Sequence, residues 1–312
     1  MSSLPLLKPR AVPLDAVVNV IAPASFAYPD RVERGMKALR ARGFSLRPGE
    51  HTHMRGPLFF AGTHAQRLGD LHAAFSNSTT SLVMSLRGGY GSNYLLEGLD
   101  LEVIRQRPKP FFAYSDLTGM QLHLLDKLGL PAFHGPMVAA DFASEDGVHA
   151  ASFDAALEGN PYNVGAAEGM RALRSGTARG TLYGGCLSIL TSLLHTRWEP
   201  STEGKLLYLE DRGTRAYQID RMLWQLRQAG KLRDVRGVIF GEMLGCATPD
   251  AAPDLMEQTI LSAFADSDIP IAIGLRSGHV SRSNVTLTFG VEAELRVEAD
   301  AELRILEPAV AR

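Results

Sequence analysis

Residues 111–118 read Phe-Phe-Ala-Tyr-Ser-Asp-Leu-Thr, and this stretch decides the fold of the first half of the chain. An apolar strand-like run, Phe111–Tyr114, ends at the polar pair Ser115–Asp116. A helical pattern follows at once and ends at Gly129, and its apolar face carries Leu117, Met120, Leu124, Leu125 and Leu128. A strand that passes directly into a helix predicts an α/β domain with a largely parallel sheet.

The same alternation extends upstream of this junction. Buried-strand runs occur at Val17–Ala22 and Ser81–Leu86. Between them, Pro29–Arg42 has the pattern of a helix, with proline in its first turn and Gly43 after its end. The first 150 residues are therefore expected to form one parallel-sheet domain with flanking helices.

A second set of elements follows an Ala-, Gly- and Asn-rich stretch. Helices are predicted at Leu187–His195 and Tyr217–Gly230, and strands at Leu206–Leu209, Val235–Phe240 and Ile269–Ile273. The alternating residues Val285, Leu287 and Phe289, and later Leu295 and Val297, predict antiparallel strands that finish this domain. A chain of 312 residues is longer than one core usually supports. We therefore predict an N-terminal α/β domain (1–150), a linker (151–180) and a C-terminal α/β domain with some antiparallel strands (181–312).

Composition excludes several classes of function. The net charge is only -2, and the acids and bases are mixed, so no basic face for nucleic acid is expected. We find no basic amphipathic stretch, no run of about 18 apolar residues and no secretory leader, so no membrane association is expected. Cys186 and Cys246 are too few for a disulfide framework or a thiolate zinc site. These features predict a reducing, cytoplasmic location.

Ser115 is the first candidate for chemistry. The end of a parallel strand lies at the sheet edge where ligands bind, and the following helix presents free N–H groups there. Such a turn can be a nucleophile elbow, although the G-x-S-x-G pattern is missing. Alternatively, Ser115 or Asp116 is simply the N-cap of the helix.

The second candidate is Arg87–Gly91 (RGGYG), which also follows a strand. Glycines there let the main chain approach a ligand and donate an N–H to a developing oxyanion. A tight turn without a ligand is the alternative. The loop lacks both the G-x-G-x-x-G and the P-loop patterns. A non-catalytic protein that binds a nucleotide phosphate at this loop remains a competing hypothesis.

A serine nucleophile needs a base and a carboxylate. Of nine histidines, His279 stands out because it follows an apolar strand run on a Gly-containing loop. Glu210 and Asp211 end another strand, so either could orient an imidazole. Each is by itself also explained as an ordinary loop or strand-end residue. His51 and His53 offer a weak metal-hydrolase alternative, without an H-E-x-x-H pattern or an obvious third ligand.

Five separated blocks together resemble the LD-carboxypeptidase family of serine peptidases, the muramoyltetrapeptide carboxypeptidases. Their order and separations match the family over essentially the whole chain. The blocks are Arg87–Gly91 (RGGYG), Tyr114–Asp116 (YSD), Gly184–Ser188 (GGCLS), Leu209–Asp211 (LED) with Ile219–Leu223 (IDRML), and Gly278–His279 (GH). Chance agreement at all five places is implausible.

The resemblance implies roles for individual residues. Ser115 corresponds to the nucleophile, His279 to the general base, and Glu210, rather than Asp211, to the group that orients the histidine. The nucleophile and the histidine are expected to come from different domains and to meet at a cleft. The implied oxyanion and substrate-binding residues are Gly88, Gly89, Tyr90 and Asp116, with the N–H groups of Gly89 and Asp116 as donors.

Family members release terminal D-alanine from murein tetrapeptide during cytoplasmic cell-wall recycling. They need no metal or cofactor and tend to form homodimers, so the same is expected here. One departure concerns the substrate pocket, because Cys186 stands where the family usually has Asn. A branch of the family cleaves a peptide–nucleotide antibiotic and gives self-immunity. This immunity-type amidase is the alternative that shares the same triad.

Overall fold

The computed structural model describes residues 4–247 and 252–312, and it divides into two compact units. Unit 1 takes the chain up to Asn160, together with Arg282–Gly290 and Pro308–Arg312. Unit 2 comprises Pro161–Ser281 and Val291–Glu307. The chain therefore passes from unit 1 to unit 2 and returns twice.

The helices place apolar faces against the sheets and turn polar faces to solvent. In α1, for example, Val32, Met36 and Leu39 are buried at the i, i+4, i+7 spacing of one helical face. Within the two described ranges, no helix has both the length and the apolar character needed to cross a membrane. The helices are α1 (Pro29–Ala41), α2 (His64–Ser76), α3 (Leu101–Gln106), α4 (Thr118–Leu128), α5 (Ala150–Glu158), α6 (Leu187–Ser192), α7 (Ala216–Gln228) and α8 (Leu255–Ala263).

The strands form one sheet in each unit. They are β1 (Val17–Ile21), β2 (Ser45–Pro48), β3 (Leu82–Ser85), β4 (Phe111–Ala113), β5 (Ala132–His134), β6 (Tyr162–Val164), β7 (Arg171–Arg174), β8 (Gly176–Cys186), β9 (Lys205–Glu210), β10 (Gly237–Gly241), β11 (Ile271–Leu275), β12 (Leu287–Phe289), β13 (Glu292–Val297) and β14 (Ala301–Ile305).

The sheet of unit 1 has the strand order β12-β5-β4-β3-β1-β2. Strands β1 to β5 are parallel, and only β12 is antiparallel, pairing with β5. The central strands β3 and β4 are fully buried, as their continuous apolar sequences require. The loops after β3 and β4 leave the same edge of the sheet, because the two strands run in parallel. These loops carry Gly88 and Ser115.

The sheet of unit 2 has the order β6-β14-β13-β8-β9-β10-β11-β7. Strands β8 to β11 form a parallel centre, with antiparallel strands on both sides. Glu210 is the last residue of β9, and its register partner on β8 is Cys186. His279 lies on the loop that follows β11.

The predicted fold class is confirmed, with a mostly parallel sheet in unit 1 and a mixed sheet in unit 2. Two predictions differ from the structure. The stretch 151–180 is not a linker, because it carries most of α5, then β6, β7 and the start of β8. Strand β12 joins the sheet of unit 1 instead of finishing the second domain. Alternating apolar residues predict a strand and its buried face, but they do not specify its partner.

Candidate active site

Ser115 lies in a sharp turn between β4 and α4. A short 3-10 helix, Ser115–Leu117, separates the two elements. The φ angle of Ser115 is 65°, in the left-handed region that non-glycine residues seldom occupy. Such backbone strain costs on the order of 1–3 kcal/mol and occurs most often at functional sites. The conformation is that of a nucleophile elbow, which presents a hydroxyl at the end of a strand.

The alternative interpretation of this turn, a simple helix cap, does not fit its hydrogen bonds. In the described structure, the capping positions of the 3-10 helix and of α4 are Tyr114 and Leu117, and neither provides a side-chain cap. The Asp116 carboxylate instead accepts a hydrogen bond from the N–H of Ser92, at 2.8 Å. The strained turn is therefore not explained by capping of the helix.

The Arg87–Gly91 loop packs against this turn. A Cβ added to Gly88 would lie 2.9 Å from Ser115 Cβ and 3.2 Å from Ser115 Oγ. Gly89 has φ 110°, and a Cβ there would lie 2.5 Å from Ser25 Oγ. Only glycine fits at both positions without displacement of a neighbour. Within unit 1, the loop and the Ser115 hydroxyl thus share one small site.

Gly88→Ala is expected to lower kcat/KM by about a hundredfold, because its methyl group would displace Ser115 from its productive position. The backbone of Gly88 is not in the left-handed region, so the fold should tolerate alanine and the melting temperature should change little. Gly69→Ala in α2 is the matched control, since nothing lies within 4 Å of its added Cβ. Equal activities of the two variants in steady-state assays would contradict this placement of Gly88.

In unit 2, His279 is paired with Glu210. The distance between His279 Nδ1 and Glu210 Oε2 is 2.7 Å, and the His279 main-chain N–H donates to the same oxygen at 3.1 Å. The Glu210 side chain is fully buried, whereas that of His279 is 16% exposed. An ionised carboxylate only accepts hydrogen bonds, so Nδ1 carries the proton and the neutral ring has its lone pair on Nε2.

Opposing effects set the pKa of His279. Burial lowers the pKa, but the charge and hydrogen bond of Glu210, with the charge of Asp211, raise it above the ordinary histidine value. A histidine held in one tautomer by a buried carboxylate has the geometry of the base and acid of a Ser-His-acid triad. The pair can therefore accept a proton at Nε2 and stabilise the resulting imidazolium.

Two further residues fix the loop that carries His279, and the sequence analysis did not identify them. Tyr208 Oη donates to the carbonyl of Ser277 at 2.6 Å, and the N–H of Ser281 donates to Glu242 at 2.9 Å. Tyr208 is fully buried in β9. The sequence did contain a signal for Tyr208. A phenol among the leucines of a buried strand needs a hydrogen-bond partner for its hydroxyl, which predicts a contact with another segment.

Asp211 has a structural role that is distinct from that of Glu210. Its carboxylate accepts from the N–H of Ser188 at 2.8 Å and from the Thr214 hydroxyl at 2.7 Å. The Cys186 thiol lies 3.3 Å from Ser188 Oγ and 3.9 Å from Asp211 Oδ2. Burial, followed by the charges of Glu210 and Asp211, raises the pKa of Cys186 well above its usual value, which favours the neutral thiol.

The remaining sequence candidates have the following positions. Tyr90 is 43% exposed, and its phenol oxygen lies 3.1 Å from that of Tyr94. His51 Nδ1 is 2.9 Å from Asp70 Oδ1, so the ring pairs with a carboxylate. Across the described parts of the chain, no group of three or more His, Cys, Asp or Glu side chains could hold a metal ion.

Comparison with known proteins places this geometry in a family context. A probable murein peptide carboxypeptidase of Bacillus subtilis (strain 168) is 33% identical over 293 residues, covering 92% of this chain and 91% of that protein. A murein tetrapeptide carboxypeptidase of Pseudomonas aeruginosa is 32% identical over 292 residues, with 89% and 93% coverage. The crystal structure of an MccF-like protein from Bacillus anthracis str. Ames superposes with a TM-score of 0.88 at 24% identity, covering 96% of this chain and 99% of that one.

Two family models match most of the chain. The LD-carboxypeptidase N-terminal domain matches residues 18–135, which include the Ser115 turn and the Arg87–Gly91 loop. The LD-carboxypeptidase C-terminal domain matches residues 179–295, which include Glu210 and His279. The resemblance predicted from the sequence motifs is confirmed, and the chain belongs to the LD-carboxypeptidase family of serine peptidases.

Proposed function

We propose that this serine-type carboxypeptidase hydrolyses the L–D peptide bond that releases terminal D-alanine from murein tetrapeptide. The observation that carries the proposal is the strained Ser115 turn, packed against Gly88 in a chain of this family. The murein substrate is supported by the names of relatives that are 32–33% identical over about nine-tenths of the chain. The cut would follow the L-centre of a diaminopimelate or lysine residue.

In this proposal, the residues have the roles that the family resemblance implies. Ser115 is the nucleophile, His279 the general base, and Glu210 the carboxylate that holds the imidazole. The main-chain N–H groups of Gly89 and Asp116 are the oxyanion donors, and Gly88 and Tyr90 belong to the same substrate-binding loop. Family membership supports the triad as a whole. The Ser115 turn and the His279–Glu210 pair support its parts.

The proposed reaction proceeds through an acyl-enzyme. His279 Nε2 takes the Ser115 proton as Oγ attacks the carbonyl carbon of the scissile bond. The N–H donors hold the negative charge on the tetrahedral oxygen. His279 then returns the proton to the nitrogen of the departing D-alanine. Water, activated by His279, attacks the ester and releases the tripeptide and the free serine.

An immunity-type amidase remains the second candidate. The microcin C7 self immunity protein MccF superposes with a TM-score of 0.88 at 23% identity, which shows the shared fold alone. Solved structures of MccF hold glutamyl sulfamoyl guanosine or aspartyl sulfamoyl adenosine, which carry a nucleoside that murein tetrapeptide lacks. The two activities are therefore separated by substrate comparison and not by the triad.

The proposal predicts release of free D-alanine from L-Ala-γ-D-Glu-meso-diaminopimelyl-D-Ala, measured by mass spectrometry. The same peptide ending in L-alanine is the control and should be cleaved slower by roughly tenfold or more. An aminoacyl sulfamoyl adenosine tests the amidase alternative in a parallel reaction. If only the aminoacyl sulfamoyl adenosine is cleaved, the amidase function would replace the tetrapeptide carboxypeptidase function. Equal cleavage of the two alanine epimers would exclude L–D specificity.

We also propose that the enzyme acts as a homodimer in the bacterial cytoplasm. Both statements rest on the family resemblance. Two reduced cysteines and a near-neutral charge are compatible with that compartment. Light scattering of the purified chain measures the oligomeric state directly.

A further inference from the structure

A single peptide group, between Gly91 and Ser92, is held on both sides by charged side chains within unit 1. Its carbonyl accepts a hydrogen bond from Arg67 Nη1 at 2.8 Å. Its N–H donates to Asp116 Oδ2 at 2.8 Å. Arg67 Nη1 also donates to the carbonyl of Pro23 at 2.6 Å, which fixes the guanidinium. Charge-assisted hydrogen bonds of this kind are roughly twice as strong as neutral ones.

A second bond joins the same two residues, again with Ser92 as the donor and Asp116 as the acceptor. The Ser92 hydroxyl donates to the main-chain carbonyl of Asp116 at 2.7 Å. Arg67, Ser92 and Asp116 are 1%, 2% and 6% exposed, so this network is shielded from water. Burial raises the pKa of the Asp116 carboxyl, and hydrogen bonds from Ser92 and Gly91 and the Arg67 charge oppose that effect. Loss of the Asp116 carboxylate would leave the buried N–H of Ser92 without an acceptor, and an unpaired buried donor costs more free energy than a typical hydrogen bond contributes.

The network spans the part of unit 1 that contains both proposed oxyanion donors. One donor, the N–H of Asp116, belongs to the residue whose side chain makes the bond. The other, the N–H of Gly89, lies in a loop that is held at Tyr90 by Ser25 Oγ, at 3.0 Å, and at Ser92 by Asp116. Oxyanion donors are effective only when they are fixed about 2.7–3.1 Å from the developing charge. The Asp116–Ser92 pair is a direct link between the two segments.

We propose that the Asp116 side chain is a positioning residue, which fixes the Gly89 N–H relative to the Asp116 N–H so that both reach the oxyanion. The inference rests on the proposed function, because it assigns a role to a carboxylate beside the proposed nucleophile. Arg67 and Ser92 are its partners in this role. The Asp116 carboxylate itself neither transfers a proton nor contacts the substrate.

The test compares Asp116→Asn, Asp116→Ala and Ser92→Ala with wild type on the tetrapeptide. For Asp116→Asn, kcat should fall by about tenfold with KM within about twofold, because the neutral amide oxygen accepts the Ser92 N–H more weakly than the carboxylate and so holds the oxyanion donor less firmly. In Asp116→Ala, kcat should fall further. In Ser92→Ala, kcat should fall by about tenfold. Asp30→Asn is the matched control, because it makes the same substitution at an exposed carboxylate, which pairs with Arg34 on the surface. Asp30→Asn should retain wild-type kcat.

A second readout is independent of the natural substrate. When serine Oγ displaces fluoride from a fluorophosphonate, the phosphoryl oxygen gains negative charge in the oxyanion hole, so the second-order rate constant of labelling should fall in parallel with kcat. Melting curves measure the folded fraction of each variant. If Asp116→Ala unfolds, Asp116→Asn and Ser92→Ala are enough to test the positioning role. Wild-type kcat and labelling rate per folded molecule in Asp116→Asn would overturn the positioning role. If wild type neither releases D-alanine from the tetrapeptide nor reacts with the fluorophosphonate, the proposed function itself would be overturned.

Discussion

Ser115→Ala should lower kcat/KM for murein tetrapeptide by about ten-thousand-fold or more, the loss expected when a serine nucleophile is removed. The variant should bind the tetrapeptide as tightly as wild type, because the hydroxyl acts mainly in the transition state. Its fold should be retained, since alanine keeps the backbone of the turn and removes one oxygen. D-alanine release and calorimetric binding of the tetrapeptide measure the two effects separately.

Ser76→Ala is the matched control for this experiment. Ser76 is an exposed residue at the end of α2, and its hydroxyl donates only to the Ala73 carbonyl at 3.3 Å. Its kcat/KM should equal that of wild type. If Ser115→Ala releases D-alanine within tenfold of the wild-type rate, the nucleophile must be another group.

Glu210→Gln should have the second largest effect, a fall in kcat of about a thousandfold or more, because the amide no longer fixes the donor tautomer of His279. The pH profile should change as well. In wild type, the acidic limb of kcat/KM reports the deprotonation of His279 and should lie above about 6.5, since the pKa of His279 is raised. Removing the Glu210 charge takes away the largest effect that raises this pKa, while burial still lowers it. The limb should therefore move to lower pH.

Initial rates between pH 5 and 9 measure this shift, and Glu257→Gln is the control. Glu257 is another carboxylate of unit 2 that pairs with an arginine, Arg171, but it lies outside the proposed site. Its profile should match that of wild type. An acidic limb in Glu210→Gln that stays in place or moves to higher pH would contradict the pairing of Glu210 with His279.

The strand-to-helix junction at Ser115 could be predicted from sequence because its signals are local. Four apolar residues, a polar pair and a helical stripe follow each other without interruption, and each reflects burial of one face. The same kind of reasoning located β9 and the loop of His279. It could not decide between Glu210 and Asp211, because adjacent residues at a strand end differ only in the direction of their side chains. The family resemblance made that choice, and it stays a prediction; in the structure, Glu210 accepts from His279, whereas Asp211 accepts from Ser188 and Thr214.

Long-range contacts could not be predicted in this way. Strand β12 is separated from its partner β5 by more than 150 residues, and its alternation carries no information about that partner. The same holds for Arg67, whose partners at Pro23 and Gly91 lie far from it in sequence. A weak signal was present, because Arg67, Leu71 and Ala74 share the buried face of α2. A charged residue on an apolar face requires a buried partner.

The central claim is that Ser115 is the activated nucleophile, and mapping the site of covalent labelling tests it most directly. Purified protein is treated with a fluorophosphonate, digested and sequenced by tandem mass spectrometry. We expect a single stoichiometric phosphonate adduct on Ser115, formed more slowly by Glu210→Gln and protected by the tetrapeptide. An adduct on a different serine, such as Ser25, or an unlabelled Ser115 in enzyme that still releases D-alanine, would contradict the account.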